Sequence, residues 1–141
     1  MKGIISSIIA GVFISLQGVF NSRMSEELSE WHTTALVHLV GFIFSIIIYL
    51  FVRDGRAEGF QEVPILYLLG GMLGVVIVLG EMIAINQIGM SFAIVTILIA
   101  QLICAFIIDT RGLFGMIKMK VSIQQVIGMA MMLMGVVIFK L

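Results

Sequence analysis

The sequence predicts an all-α integral membrane protein of five transmembrane helices. Three observations carry that prediction. Hydrophobic residues make up 61% of the chain and charged residues 11%, against roughly 45–50% and about 25% in soluble domains. Five segments reach the length of about 20 apolar residues that a helix needs to cross hydrocarbon. A single proline interrupts the 141 residues. So little polar surface cannot cover a water-soluble core, so the solvent of this fold is lipid.

The segments follow in order as one membrane domain over residues 1–141. The first spans about residues 3–24 and the second about 33–52. The third runs over 64–87, with Pro64 in its first turn, where a missing N–H costs nothing. The fourth covers 91–109 and the fifth 121–139. The polar links are "SEELSEWH", "RDGRAEGFQEV", "NQIGM" and "TRGLFGMIKMK". Trp31 and Tyr49 fall near span ends, where amphipathic rings favour the interface. The N-terminal segment lacks a small-x-small cleavage site leading into a soluble domain, so it is expected to stay as the first span.

Five spans place the termini on opposite sides. The side of the N-terminus holds Lys2, Arg53, Arg56, Arg111, Lys118 and Lys120; the other holds Arg23 and Lys140. This bias predicts a cytoplasmic N-terminus and an outer C-terminus. Arg23 is read as snorkelling from the end of the first helix.

Helices in lipid associate through small residues and polar side chains. In the first helix Gly3, Ser7, Gly11, Ser15, Gly18 and Ser22 fall within roughly 120° of one another at 100° per residue. Gln17 and Asn21 flank that stripe. The second helix places Trp31, Ala35, His38, Gly41, Phe42 and Ser45 on one side. The third aligns Gly70, Gly74, Ile77 and Glu81. The fourth carries Ala93, Ala100 and Cys104 with Gln101 beside them, and the fifth has Gly128 and Gly135 on one face. The expected packing glycines are Gly11, Gly18, Gly74, Gly128 and Gly135. Cys104, the one cysteine, excludes an internal disulfide and reads as a buried small hydrophobe.

Glu81 lies in the apolar run "VIVLGEMIAINQIG". Sharing a face with glycines, it is expected to point at protein or at a water-filled cavity. Intramembrane carboxyls mark substrate paths or proton relays. The structural alternatives are a carboxyl hydrogen-bonded to Asn21 or His38, or simple snorkelling. Asn21, Glu81 and His38 share one depth, in the outer half of the membrane, if their helices are neighbours. One His and one Glu do not complete a metal shell. Asp109 reads as an interface residue, pairing with Arg111 or shaping the following loop. No phosphate-binding loop, nucleophile–base pair or Cys/His cluster appears, so neither enzyme nor cofactor is expected, and neutral net charge gives no hint of nucleic acid.

The stretches "GVFISLQGVFNSRM", "TALVHLVG", "LGGMLGVVIV", "AQLICAFIIDTRGLFG" and "GMAMMLMGVVIF" together resemble the YdcZ-type half-size transporters of the drug/metabolite transporter superfamily. "GVFISLQGVFNSRM" is similar to their Gln-x₃-Asn pattern and "TALVHLVG" to their second helix. "LGGMLGVVIV" is similar to a Gly-Gly-x-x-Gly opening, and "AQLICAFIIDTRGLFG" to a Gly-Gln to Asp-x-x-Gly-x-x-Gly stretch. "GMAMMLMGVVIF" is similar to the superfamily's closing helix. The resemblance covers nearly the whole chain. It departs at His38, where serine is common, and at Ala100, where glycine usually precedes Gln101. A glutamate at position 81 is not expected throughout the family. The resemblance implies a bacterial inner-membrane protein forming half of an inverted-repeat ten-helix secondary transporter of small molecules. Gln17, Asn21, Gln101 and Asp109 match its polar pattern.

From residues and resemblance together, Gln17, Asn21, His38, Glu81 and Gln101 are the expected pathway residues, with Glu81 coupling to a proton or cation. The Lys/Arg bias favours an oppositely oriented homologous half-transporter as partner over an antiparallel homodimer. Competing readings are an accessory membrane subunit and a channel. In a Cys104→Ala background, single cysteines at Ser29 and Gly55 test the orientation. A membrane-impermeant thiol reagent applied to intact cells is expected to label position 29 alone; labelling of both would mean dual insertion.

Overall fold

The computed structural model describes residues 1–52 and 63–140. Arg53, Arg56, Gly55 and nearly all of the link "RDGRAEGFQEV" lie outside the described residues. The described residues form helices α1 (Lys2–Leu28), α2 (Glu30–Val52), α3 (Ile65–Leu68), α4 (Gly70–Ile88), α5 (Met90–Arg111) and α6 (Ile123–Lys140). With α3 and α4 taken as one span, Ile65–Ile88, five helices are long and apolar enough to cross a membrane. Among the described residues there is no strand, and the protein is an all-α membrane protein.

The helices run further into the polar links than the hydropathy pattern marks. The link "SEELSEWH" is almost wholly helical, and Ser29 alone separates α1 from α2. Glu and Leu are good helix formers. Arg23 and Glu26 add an exposed ion pair at 3.1 Å across one turn, worth a few tenths of a kcal/mol. Ser29 adopts φ 77°, ψ 155°, a region that only glycine enters freely. Its hydroxyl meets His32 Nδ1 at 2.9 Å. Gly89 takes nearly the same conformation, φ 81° and ψ 156°, as the one residue between α4 and α5.

The third span, expected to be continuous, breaks at Leu69, just before the Gly70–Gly71 pair. Two adjacent glycines lower helix propensity by about 1 kcal/mol each relative to alanine, so the break falls where continuation is weakest. Pro64 stands at the N-cap, one residue before its expected place.

The chain divides into two compact units, Met1–Asn86 and Gln87–Leu141. Within the first, α1 packs along α2. The buried line of α4 is Val78, Glu81, Met82 and Ile85, a three-and-four spacing that keeps one face inward. The buried positions of α2 are Thr33 and Thr34, with Val37 and His38 half-buried. The expected face of α2 is corrected here: Trp31, Ala35, Gly41, Phe42 and Ser45 are exposed.

Within the second unit, α5 packs along α6, and the Lys140 ammonium lies 5.5 Å from the Phe92 ring centre. Ala93 is buried. Cys104 is exposed, contrary to the expectation of burial, because few positions of α5 turn inward and the rest face outward as apolar surface. Gly11, Gly128 and Gly135 likewise meet no neighbour within 4 Å, so of the expected packing glycines only Gly18 and Gly74 pack within the described chain.

The link after α5 turns on backbone geometry. Gly112 caps the helix in the left-handed region at φ 63°, and a Cβ there would lie 3.2 Å from Lys118 Cβ and 3.3 Å from the Met116 carbonyl. The Asp109 carbonyl accepts the Met119 N–H at 2.9 Å. Of its two expected roles, Asp109 therefore shapes the loop, and does so through its backbone. Gly112→Ala is expected to lower stability by about 1–2 kcal/mol, and Ser29→Gly to raise it by about 1 kcal/mol through relief of strain. Thermal-shift measurements of purified protein in detergent check both signs.

Candidate functional site

The polar site is built where α1 meets α4. Gly18 presents bare backbone to α4, and Glu81 fills the space. A Cβ on Gly18 would stand 2.8 Å from Glu81 Oε1, 3.3 Å from its carboxyl carbon and 3.0 Å from Ile85 Cδ1. The small-residue stripe thus acts as a notch for a side chain. Glu81 is left 9% exposed, and the snorkelling alternative does not describe it. Its Oε1 is buried and has no hydrogen-bond partner.

One turn beyond Gly18, Asn21 is 3% exposed, and its Nδ2 is also buried without a partner. On α2, Thr33 is fully buried, and its Oγ1 is the third such atom. The neighbouring Thr34 hydroxyl is satisfied, donating to the Glu30 carbonyl at 2.7 Å. Buried polar atoms in proteins are overwhelmingly paired, so three orphans in one unit mark it as chemically unfinished.

The next turn is the opposite case. The Ser22 hydroxyl donates to Asn86 Oδ1, Asn86 Nδ2 donates to Ser25 Oγ at 3.0 Å, and the Ser25 hydroxyl donates to the Ser22 carbonyl at 2.7 Å. These bonds close a ring. Every side-chain group in it has a partner, so it fastens α1 to α4 and holds the unsatisfied turn below in register. Gly18 opposite Glu81 and Ile85, then Ser22 opposite Asn86, makes the two helices run in the same direction.

His38, on α2, meets α4 at a different place. Its Nδ1 lies 2.8 Å from the Thr34 carbonyl. A carbonyl only accepts, so Nδ1 carries a hydrogen and donates it. Nε2 stands 3.4 Å from where a Gly74 Cβ would be. Gly74 and Glu81 are two turns apart on α4, about 10 Å along its axis. Hence neither expected hydrogen bond from Glu81, to Asn21 or to His38, is among those the described residues make. Histidine lacks the reach, and the amide nitrogen has no partner at all.

The two glutamines differ again. Gln17 on α1 and Gln101 on α5 are both exposed. The sequence reading missed Asn86, Ser25 and Thr33. Asn86 reads in the sequence as part of a polar link, and its only signal is its place five residues, more than one turn, after Glu81. Among the described residues no group of three or more His, Cys, Asp or Glu is placed to hold a metal ion.

The sequence profile of the family described as "Putative inner membrane exporter, YdcZ" matches residues 3–138. No curated protein and no solved structure matches the chain. The α1–α4 seam is open to direct test. With Cys104→Ala, cysteines at Ser22 and Asn86 are expected to cross-link under mild oxidation. Adding Gly18→Leu, which fills the notch, is expected to reduce cross-linking at least about fivefold, the side-chain overpacking costing about 1–3 kcal/mol.

Proposed function

The chain belongs to the YdcZ family of inner membrane exporters, and from that premise we propose that it is one half of a secondary transporter for a small molecule. Two such bundles of opposite orientation enclose a central pathway and expose it alternately to the two sides. The observation that carries the reading is Glu81, a carboxyl buried in a glycine notch with an unpartnered oxygen. An intramembrane acid in that state is a coupling group for a proton or cation. Asn21 on α1 and His38 on α2 lie on either side of it along α4.

The glutamines point to the partner. Gln17 and Gln101 are long polar amides on exposed helix faces. Facing lipid they would be costly, and a second bundle across those faces supplies what they lack. Inverted pairs of bundles with a site near the midplane are a common plan for such transporters. The Lys/Arg bias favours a fixed orientation with the N-terminus in the cytoplasm, and so a homologous partner inserted the other way. The pathway is then lined by Gln17, Asn21, His38, Glu81 and Gln101 from this chain.

Proteoliposomes holding the chain with its partner, assayed on a solid-supported membrane with a panel of solutes, should give transient currents that follow an imposed proton gradient. Glu81→Gln should reduce them more than tenfold while chemical cross-linking shows the dimer unchanged. Full currents from Glu81→Gln would remove Glu81 from coupling.

A further inference from the structure

We propose that the loop between α5 and α6 is a docking surface for anionic phospholipid. It concerns residues of the second unit alone and does not depend on the exporter reading. The chain does not pass from α5 to α6 as a slack link. The Met119 N–H donates to the Asp109 carbonyl at 2.9 Å. Lys118 packs on Gly112, where a Cβ would lie 3.2 Å from Lys118 Cβ. Residues 118 and 119 are thereby held against the last turn of α5. Lys118 stands beside the neighbour of Arg111, and Lys120 follows the pinned Met119. Three cations spread over ten residues of sequence are gathered at one helix end, and all three are exposed. Among the described residues no carboxylate lies within ion-pair distance of them. Against them stand the Asp109 side chain and about half a negative charge at the end of the α5 dipole, so the patch remains positive.

The same fold-back turns large apolar side chains outward. Leu113, Phe114, Met116 and Ile117 lie between Arg111 and Lys118, with Phe114 63% and Ile117 86% exposed. Phe114 adopts φ 56°, ψ 28°, the left-handed region that a bulky residue seldom enters. Its turn is closed by the Met116 N–H on the Leu113 carbonyl at 3.1 Å. Gly112 and Gly115 on either side also have positive φ, so the turn alone would favour glycine at 114. An aromatic ring is held there instead, on strained backbone and with little cover from the chain. Its contacts have to come from outside the chain.

Charge and position choose the occupant. The loop joins two helices long and apolar enough to cross a membrane, so it lies where hydrocarbon gives way to headgroups. Apolar side chains there enter the acyl layer, while Lys and Arg reach the headgroups. Exposed cations at that level favour negatively charged headgroups, each contributing about fivefold in affinity. An acidic protein or a nucleic acid would meet the charges and leave Phe114 and Ile117 in water. A phospholipid meets both, with its phosphate among Arg111, Lys118 and Lys120 and its chains against the apolar side chains.

Fluorescence quenching reads the contact at the loop itself. With Trp31→Phe, the substitution Phe114→Trp makes position 114 the one indole of the chain. The full-length protein is placed in phosphatidylcholine vesicles containing a fixed fraction of lipid brominated on its acyl chains, either phosphatidylcholine or phosphatidylglycerol. Both are expected to quench, phosphatidylglycerol with a relative binding constant about fivefold higher or more. Sodium chloride at 1 M, where the Debye length is about 3 Å, should remove most of that preference. Lys118→Gln with Lys120→Gln should abolish it while quenching by phosphatidylcholine persists, which shows the loop still in place. Lys2→Gln with Lys140→Gln removes as much charge elsewhere and should leave the preference intact. Equal quenching by the two lipids before these lysines are changed, or an equal loss in both double variants, overturns the proposal. So does emission that neither lipid quenches, which would put the loop against protein or water. A preference abolished by inorganic phosphate, but not by chloride of equal ionic strength, also overturns it and marks a site for the free anion.

Discussion

The contact between Glu81 and the bare backbone at Gly18 is the constraint around which the first unit is arranged. In hydrocarbon, apolar side chains gain nothing by leaving lipid for protein, so helices meet where small residues and polar groups allow. Gly18 provides the room: a methyl group in its place would stand 2.8 Å from the carboxyl oxygen. Placing an acid there is costly, and that cost is met only if neighbouring structure holds it. The closed ring of Ser22, Asn86 and Ser25 does so one turn away. One turn is fully satisfied; the next is left unsatisfied. That contrast separates a fastening from the candidate site.

The rest of the unit follows. Because Ser29 alone separates α1 from α2, α2 is committed to packing on α1 with Thr33 and Thr34 inward. His38 then reaches Gly74 rather than Glu81. Two glycines on different helices thus receive two polar side chains, a glutamate from α4 at Gly18 and a histidine from α2 at Gly74, at separate levels along α4. Gly11, Gly128 and Gly135 offer the same kind of opening with nothing in it, as expected of surfaces that lipid or another bundle covers.

The five spans were legible because hydropathy over about 20 residues is a strong, local signal. The same signal blurred their ends: hydropathy falls at "SEEL", while helix propensity and the Arg23–Glu26 pair continue the helix to Leu28. Glu81 stood out because a lone acid in an apolar run is conspicuous, and Gly18 belonged to a visible stripe. Thr33 and Asn86 were not legible, since a threonine or asparagine near a span end looks like any interface residue until its neighbours are known. The face of α2 was misread for a related reason. Both sides of that helix are apolar, so periodicity alone does not say which turns inward. Cys104 and the glycines of α6 show the same limit: in lipid a small apolar residue is equally at home inside and out.

The central claim is that Glu81 lies in the Gly18 notch in the bilayer. Solid-state NMR of the protein in lipid, with carbon-13 in glycine and glutamate, tests it directly. A short-range cross-peak is expected between Gly18 Cα and the Glu81 carboxyl carbon, identified by its loss in Glu81→Gln. If that peak is missing while serine and asparagine labelling shows Ser22 beside Asn86, the seam exists but the acid is not in it, and the account of the site is wrong.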